Sequence, residues 1–131
     1  MGLGMQAVLP SMIGSGGGKI VNVSSVAALI GMQNTAAYAA AKGGILGLSR
    51  QAAIQDASEK IRVNVLAPGT IETPILGDIP KELYDVMIAG TPAGRLGNPD
   101  DVASMALHLH GSGGDLVTGQ TFVVDGGGTA H

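Results

Sequence analysis

Apolar positions along the chain follow two rhythms, and the switches between them mark out its elements. Leu3, Ala7, Val8 and Ile13 recur at helical spacing, so residues 1–13 are expected to form a helix that the glycines of "GSGGGK" bring to an end. "KIVNVSS", residues 19–25, is a short β-branched run closing in two hydroxyls, the pattern of a buried strand. A loop rich in Gly, Gln and Asn follows, and residues 35–58 then run long, alanine-rich and periodic, which predicts a second helix. Residues 61–66, within "KIRVNVLAPG", read as a strand broken by Pro68 and Gly69. Residues 70–97 carry repeated prolines and predict a loop with one or two short helices. "NPDDVASMALHLH" opens a helix, with Asn98 as its cap, Pro99 in its first turn and Asp100 and Asp101 at its positive end. "GQTFVVDGGG" gives a third strand.

Helix and strand therefore alternate, and that alternation implies an α/β fold with a parallel sheet and right-handed crossovers. Ligands of such sheets sit beyond the carboxyl ends of the strands. The rule marks three places: Ser24 and Ser25, the stretch from Pro68 to Thr73, and the stretch from Asp125 to Gly127. No internal repeat or linker divides the chain, so residues 1–131 read as one unit.

Composition sharpens this picture. Hydrophobic residues make up 45% of the chain and charged residues 13%, enough for a buried core and against intrinsic disorder. Seven basic against ten acidic residues leave no basic face for nucleic acid. The absence of cysteine rules out a disulfide framework or thiolate metal site and suits a reducing cytoplasm. The apolar N-terminus lacks a basic leader, and Pro10 interrupts it well short of a membrane span. Glycine is abundant, at 22 residues, and aromatics are scarce at 2%, so the core is expected to pack backbones closely.

Three motif matches do not survive inspection. "GLGMQA" fits the dinucleotide fingerprint, yet no strand precedes it and no acidic residue lies at the required distance. "GSGGGKI" lacks both the first glycine and the final hydroxyl of a phosphate loop. His108 and His110, two apart on a helix, point away from each other and make no metal site.

"TAAYAAAKGG" is different. Tyr38 and Lys42 stand four apart and share a helix face, and thirteen positions before Tyr38 comes Ser25, at the carboxyl end of a strand. A free tyrosine has a pKa of about 10. A neighbouring ammonium favours the phenolate, which suits tyrosine to acid/base work, and a serine hydroxyl can hold a substrate oxygen as charge develops.

Ser-x12-Tyr-x3-Lys resembles the active-site pattern of the short-chain dehydrogenases/reductases, of the 3-oxoacyl-carrier-protein reductase or glucose dehydrogenase type. Other blocks match in the family's order. "GKIVNVSS" resembles the strand before the catalytic serine, "YAAAKGGILGLSR" the active-site helix, and "IRVNVLAPGTIETP" the next strand and its P-G-x-x-x-T segment. "GRLGNPDDVA" and "VTGQTFVVDGG" are similar to the C-terminal signatures. The resemblance implies an NAD(P)-dependent oxidoreductase that interconverts a small-molecule carbonyl and a secondary alcohol by hydride transfer. Tyr38 would be its acid/base; Lys42 would tune the tyrosine and bond the nicotinamide ribose; Ser25 would orient the substrate oxygen. Pro68, Gly69, Ile71 and Thr73 would line the nicotinamide pocket of NAD or NADP, with Ile71 backbone groups and the Thr73 hydroxyl facing the carboxamide. Residues 74–91 would form the substrate lid. A homo-oligomer, dimer or tetramer, is implied as well, through the helices of residues 1–13 and 35–58 and through the last helix and strand. Ala39, Ala40, Gly43 and Gly44 suit close helix packing there.

The family pattern also begins with a strand, a glycine-rich turn and a helix that hold the pyrophosphate, and residues 1–131 contain no such segment. The chain thus resembles the C-terminal half of a Rossmann-like, doubly wound domain: three parallel strands with flanking helices. Both the residue that separates NAD from NADP and the family's catalytic asparagine fall outside it. Two expectations follow. One is a short-chain oxidoreductase site built on Ser25, Tyr38 and Lys42; the other is a non-catalytic module that keeps only the subunit contacts.

Overall fold

The computed structural model describes residues 2–130. Its helices are α1 (Gly2–Gly14), α2 (Ala36–Gln55), α3 (Lys81–Ala89) and α4 (Pro99–His110), and its strands are β1 (Gly18–Val23), β2 (Ile61–Pro68) and β3 (Thr121–Val124). The three strands form one parallel sheet in the order β1-β2-β3. Met1, the first residue of the expected N-terminal helix, lies outside the described residues.

β2 is the centre of the molecule. Every residue from Ile61 to Ala67 is buried except Arg62, the reading of a strand covered on both faces. Ile61 and Val63 pack with Met5 of α1 and with Ala52 and Ala53 of α2, while Leu9, Met12 and Ile20 close the edge of that cluster. Helix α4 lies against β1 and β2 and buries Leu109. Alanine at the α2 contact lets the helix sit close to the strand, the consequence of a core that has few aromatics.

Asn22, Ser49 and Asn64 are paired inside this core. Asn22 Nδ2 donates to Ser49 Oγ at 2.9 Å, pinning β1 to α2. Asn64 Nδ2 donates to the Val117 carbonyl at 2.7 Å, and Asn64 Oδ1 accepts the Gln120 N–H at 3.1 Å. The Thr118 hydroxyl accepts the Val63 N–H at 3.0 Å. These bonds bring the loop before β3 alongside β2 and so set the strand's position.

Several boundaries differ from the sequence expectation. β1 ends at Val23 instead of Ser25, because Ser25 leaves the ladder to cap a 3-10 turn, Val26–Ala28, by accepting the Ala27 N–H. α2 ends at Gln55, before residue 58; a 3-10 turn, Ala57–Glu59, follows, and Lys60 takes a left-handed conformation, φ 59°, that turns the chain into β2. β2 extends through Pro68, a strand end where the missing N–H is not needed. Pro10 lies within α1, which continues past it although the ring removes the N–H that would reach the Gln6 carbonyl. The cap of α4 is as expected and goes further: Asn98 and Asp101 form a reciprocal capping box.

Candidate active site

Because the strands are parallel, their carboxyl ends gather the three marked places at one edge of the sheet. β1 delivers Ser24 and Ser25, β2 delivers Pro68 and Gly69, and β3 delivers Asp125 and the glycines after it.

Lys42 is fixed to the first of these from both ends. Its Nζ donates to the Val23 carbonyl at 3.3 Å, and its own backbone carbonyl accepts the Ser24 hydroxyl at 2.8 Å. Ser24 is buried and its N–H bonds to the Leu66 carbonyl of β2 at 2.7 Å, so it locks α2, β1 and β2 together. The lysine ammonium lies 5.6 Å from the centroid of the Tyr38 ring, within cation–π range. The i, i+4 spacing thus places the two side chains against each other. Tyr38 is 49% exposed, and among the described residues its hydroxyl has no hydrogen-bond partner. Ser25 faces the same strand end, but its hydroxyl is engaged with the Ala27 N–H at 3.2 Å and makes no direct bond to Tyr38 among the described residues.

The segment after β2 is held at a set angle. Gly69 donates its N–H to the Val124 carbonyl at 3.0 Å. Ile71 and Gly97 form a parallel bridge in which the Gly97 N–H reaches the Thr70 carbonyl at 3.0 Å and the Glu72 N–H reaches the Gly97 carbonyl at 2.8 Å. In a parallel bridge the flanking peptides make the bonds, so the N–H and C=O of Ile71 itself are turned to the other side. The Thr73 hydroxyl folds back toward the Ile71 carbonyl, 3.4 Å away. Pro68, Gly69, Ile71 and Thr73 therefore form one short run, held at its start by β3 and in its middle by Gly97. The residues beyond it form a 3-10 turn, Pro74–Leu76, and the amphipathic α3, which has no buried residue. The Tyr84 hydroxyl of α3 donates to Glu72 Oε1, tying that helix to the loop; this bond, with burial and the nearby carboxylates of Glu72 and Asp85, raises the phenol's pKa.

Sequence reasoning missed the side-chain bonds that hold this edge. Arg95 grips Asp101 with both terminal nitrogens, at 2.7 and 2.9 Å. The Arg95 bond comes first and the Asn98 N–H second in drawing the Asp101 carboxyl down to about 2. Burial resists ionisation of Asp125, but the Thr129 hydroxyl and the N–H groups of Gly127 and Thr129 outweigh it and lower its pKa. The sequence marks Asp125 by the strand-end rule and Asp101 by the helix cap at Asn98, and holds no signal for the Arg95 fork. A cleft of about 330 Å³ opens beside them, lined by Arg95, Gly97, Asp101, Val124, Asp125 and Gly127. Ser25, Tyr38 and Lys42 lie outside that cleft. Among the described residues no acidic or histidine cluster could hold a metal ion. None of their helices is long and apolar enough to cross a membrane.

A family model described as Enoyl-(Acyl carrier protein) reductase matches residues 2–129. A solved oxidoreductase of Burkholderia thailandensis, described as of the short chain dehydrogenase/reductase family, superposes with a TM-score of 0.90 at 32% identity, covering 98% of this chain and 51% of that one. The chain belongs to the short-chain dehydrogenase/reductase family. It is 41% identical over 122 residues to the 3-oxoacyl-[acyl-carrier-protein] reductase of Thermotoga maritima, covering 93% of this chain and 50% of that protein. A gluconate 5-dehydrogenase of Burkholderia cenocepacia, solved with NADP and tartrate, matches with a TM-score of 0.89 at 37% identity, over 97% of this chain and 51% of that one. The chain spans about half the length of the curated short-chain relatives it matches. The three-stranded parallel sheet with its helices is the corresponding part of their Rossmann-type fold.

Proposed function

We propose that residues 2–130 form, as one unit, the substrate-side and nicotinamide-side part of an oxidoreductase site that interconverts a small-molecule carbonyl and a secondary alcohol. The observation that carries this reading is the fixed triangle of β1, Tyr38 and Lys42. Two bonds from Lys42 to the end of β1 hold its ammonium against the Tyr38 ring and leave the phenol hydroxyl open to a ligand.

In this reading Tyr38 gives a proton to the substrate oxygen on reduction and takes it back on oxidation. The Lys42 ammonium stabilises negative charge at the phenol oxygen, and the Ser25 hydroxyl orients the substrate oxygen once it exchanges the Ala27 N–H for the ligand. The nicotinamide of NAD or NADP, when bound, supplies or accepts the hydride. Ile71 offers one N–H and one C=O on the face away from Gly97, the complement of a carboxamide, with the Thr73 hydroxyl beside them. Pro68 and Gly69 set the start of that run, and Lys42 is placed to bond a ribose hydroxyl.

Association with further copies belongs to the same reading. Leu3 of α1 and Ile54 of α2 are 83% and 79% exposed, and a side chain built at Gly43, Gly44 or Gly47 would meet nothing within 4 Å. An apolar surface with open space above its glycines suits a helix face that packs against a second subunit.

Titration calorimetry with NADH and with NADPH tests the proposal, alongside turnover of simple ketones. Binding of one cofactor and loss of turnover in Tyr38→Phe are the expected results. A chain that binds neither at millimolar concentration would sink the oxidoreductase reading for it and leave the non-catalytic module.

A further inference from the structure

The backbone of the loop assigned to the nicotinamide is held at Ile71 and Glu72 by the backbone of Gly97. Gly97 in turn sits inside a closed ring. Arg95 Nη1 donates to the neighbouring Leu96 carbonyl at 2.9 Å and, with Nη2, to both carboxylate oxygens of Asp101. Asp101 Oδ2 also accepts the Asn98 N–H at 2.8 Å, and Asn98 Oδ1 accepts the Asp101 N–H at 3.0 Å. Leu96, at the ring's base, is buried. Exposed ion pairs contribute little as a rule, but a bidentate arginine fork inside a network is the exception that fixes geometry. The fit at Gly97 is close: a Cβ there would lie 2.4 Å from Ile71 Cδ1 and 3.5 Å from the Thr70 carbonyl oxygen.

We propose that Arg95, Asp101 and Gly97 are positioning residues for the cofactor. The Arg95–Asp101 fork holds Gly97 against the Ile71 segment, and the bridge it maintains decides which way the Ile71 N–H and C=O point. None of the three touches the reacting atoms. They act through the aim of the Ile71 peptide groups, so the proposal rests on the nicotinamide reading of that run.

Amide hydrogen exchange on the free chain tests the clamp without any cofactor. In Arg95→Ala the Glu72 and Gly97 N–H groups should exchange faster by about tenfold or more, while the Ser24 and Val65 N–H groups, bonded elsewhere in the sheet, keep their protection. Arg95→Lys should recover only part of the loss, since a point charge cannot replace the fork. Unchanged exchange at Glu72 and Gly97 overturns the clamp. NADH and NADPH titrations of the same variants then test its purpose: affinity should fall by about tenfold in Arg95→Ala in step with the exchange. Faster exchange with wild-type affinity overturns the positioning role. If the wild-type chain binds neither cofactor, the carboxamide reading of Ile71 fails, and exchange alone decides whether the clamp exists.

Discussion

Gly69 lies directly against Asp125. A side-chain carbon on Gly69 would be 2.7 Å from Asp125 Cβ and 3.0 Å from its Cα, closer than packed atoms come. The end of β2 and the end of β3 can therefore meet only while residue 69 is glycine. Gly69→Ala should destabilise the chain by about 1–3 kcal/mol through forced separation of the two strand ends. A fall in the urea midpoint with an unchanged slope is the expected measurement, accompanied by loss of cofactor binding; an unchanged midpoint would show that the strand ends yield easily.

Acid should loosen the same edge through two carboxylates. Asp101 and Asp125 both have folded pKa values below the ordinary value of about 3.9, Asp101 at about 2. A depressed folded pKa contributes stability that is present above the unfolded value and lost as pH falls through the folded one. Between about pH 4 and pH 2 the wild type should therefore lose stability more steeply than the Asp101→Asn, Asp125→Asn double variant, by urea titration at each pH. Parallel slopes would show that neither carboxylate is held in solution as the structure holds it.

Removing the Tyr38 hydroxyl should separate chemistry from folding. It has no partner among the described residues and sits on the surface, so Tyr38→Phe should shift stability by no more than about 0.5 kcal/mol. Turnover, by contrast, should fall by about 10²-fold or more with the loss of the proton-transfer group. Undiminished activity would assign acid/base work to another residue.

Gly44 gives opposite expectations for the chain alone and for its association. A Cβ there meets nothing within the chain, so Gly44→Ala should raise α2 stability by about 0.5–1 kcal/mol. If that face packs on a second copy, the added methyl should weaken self-association in sedimentation equilibrium. Greater stability with unaltered association would place the subunit contact elsewhere.

Much of the fold was open to the sequence because period and punctuation act locally. The β-branched run at β1, the alanine-rich period of α2 and the Asn98 cap each depend on neighbours a few residues away, and each lies where expected. Errors fell at ends, where distant partners compete: Ser25 left the strand to cap a turn, and α2 stopped short of residue 58 as the chain turned at Lys60. The Tyr38–Lys42 contact was legible because helical geometry alone makes it. Ser24 was noticed only as one of two hydroxyls. Its bond to the Lys42 carbonyl joins residues 18 apart, and no local rule selects it over Ser25.

By itself, then, the sequence determined the α/β alternation, the helix face that carries Tyr38 and Lys42, and the family pattern those residues complete. These are consequences of backbone period and of short-range order. The tertiary structure decided the rest: that Lys42 is tied to β1 at both ends, that Asp125 closes on Gly69, and that Gly97 aims the Ile71 peptide groups. Each of those contacts pairs residues from separate elements, and only the parallel sheet, by gathering three strand ends at one edge, brings them within reach.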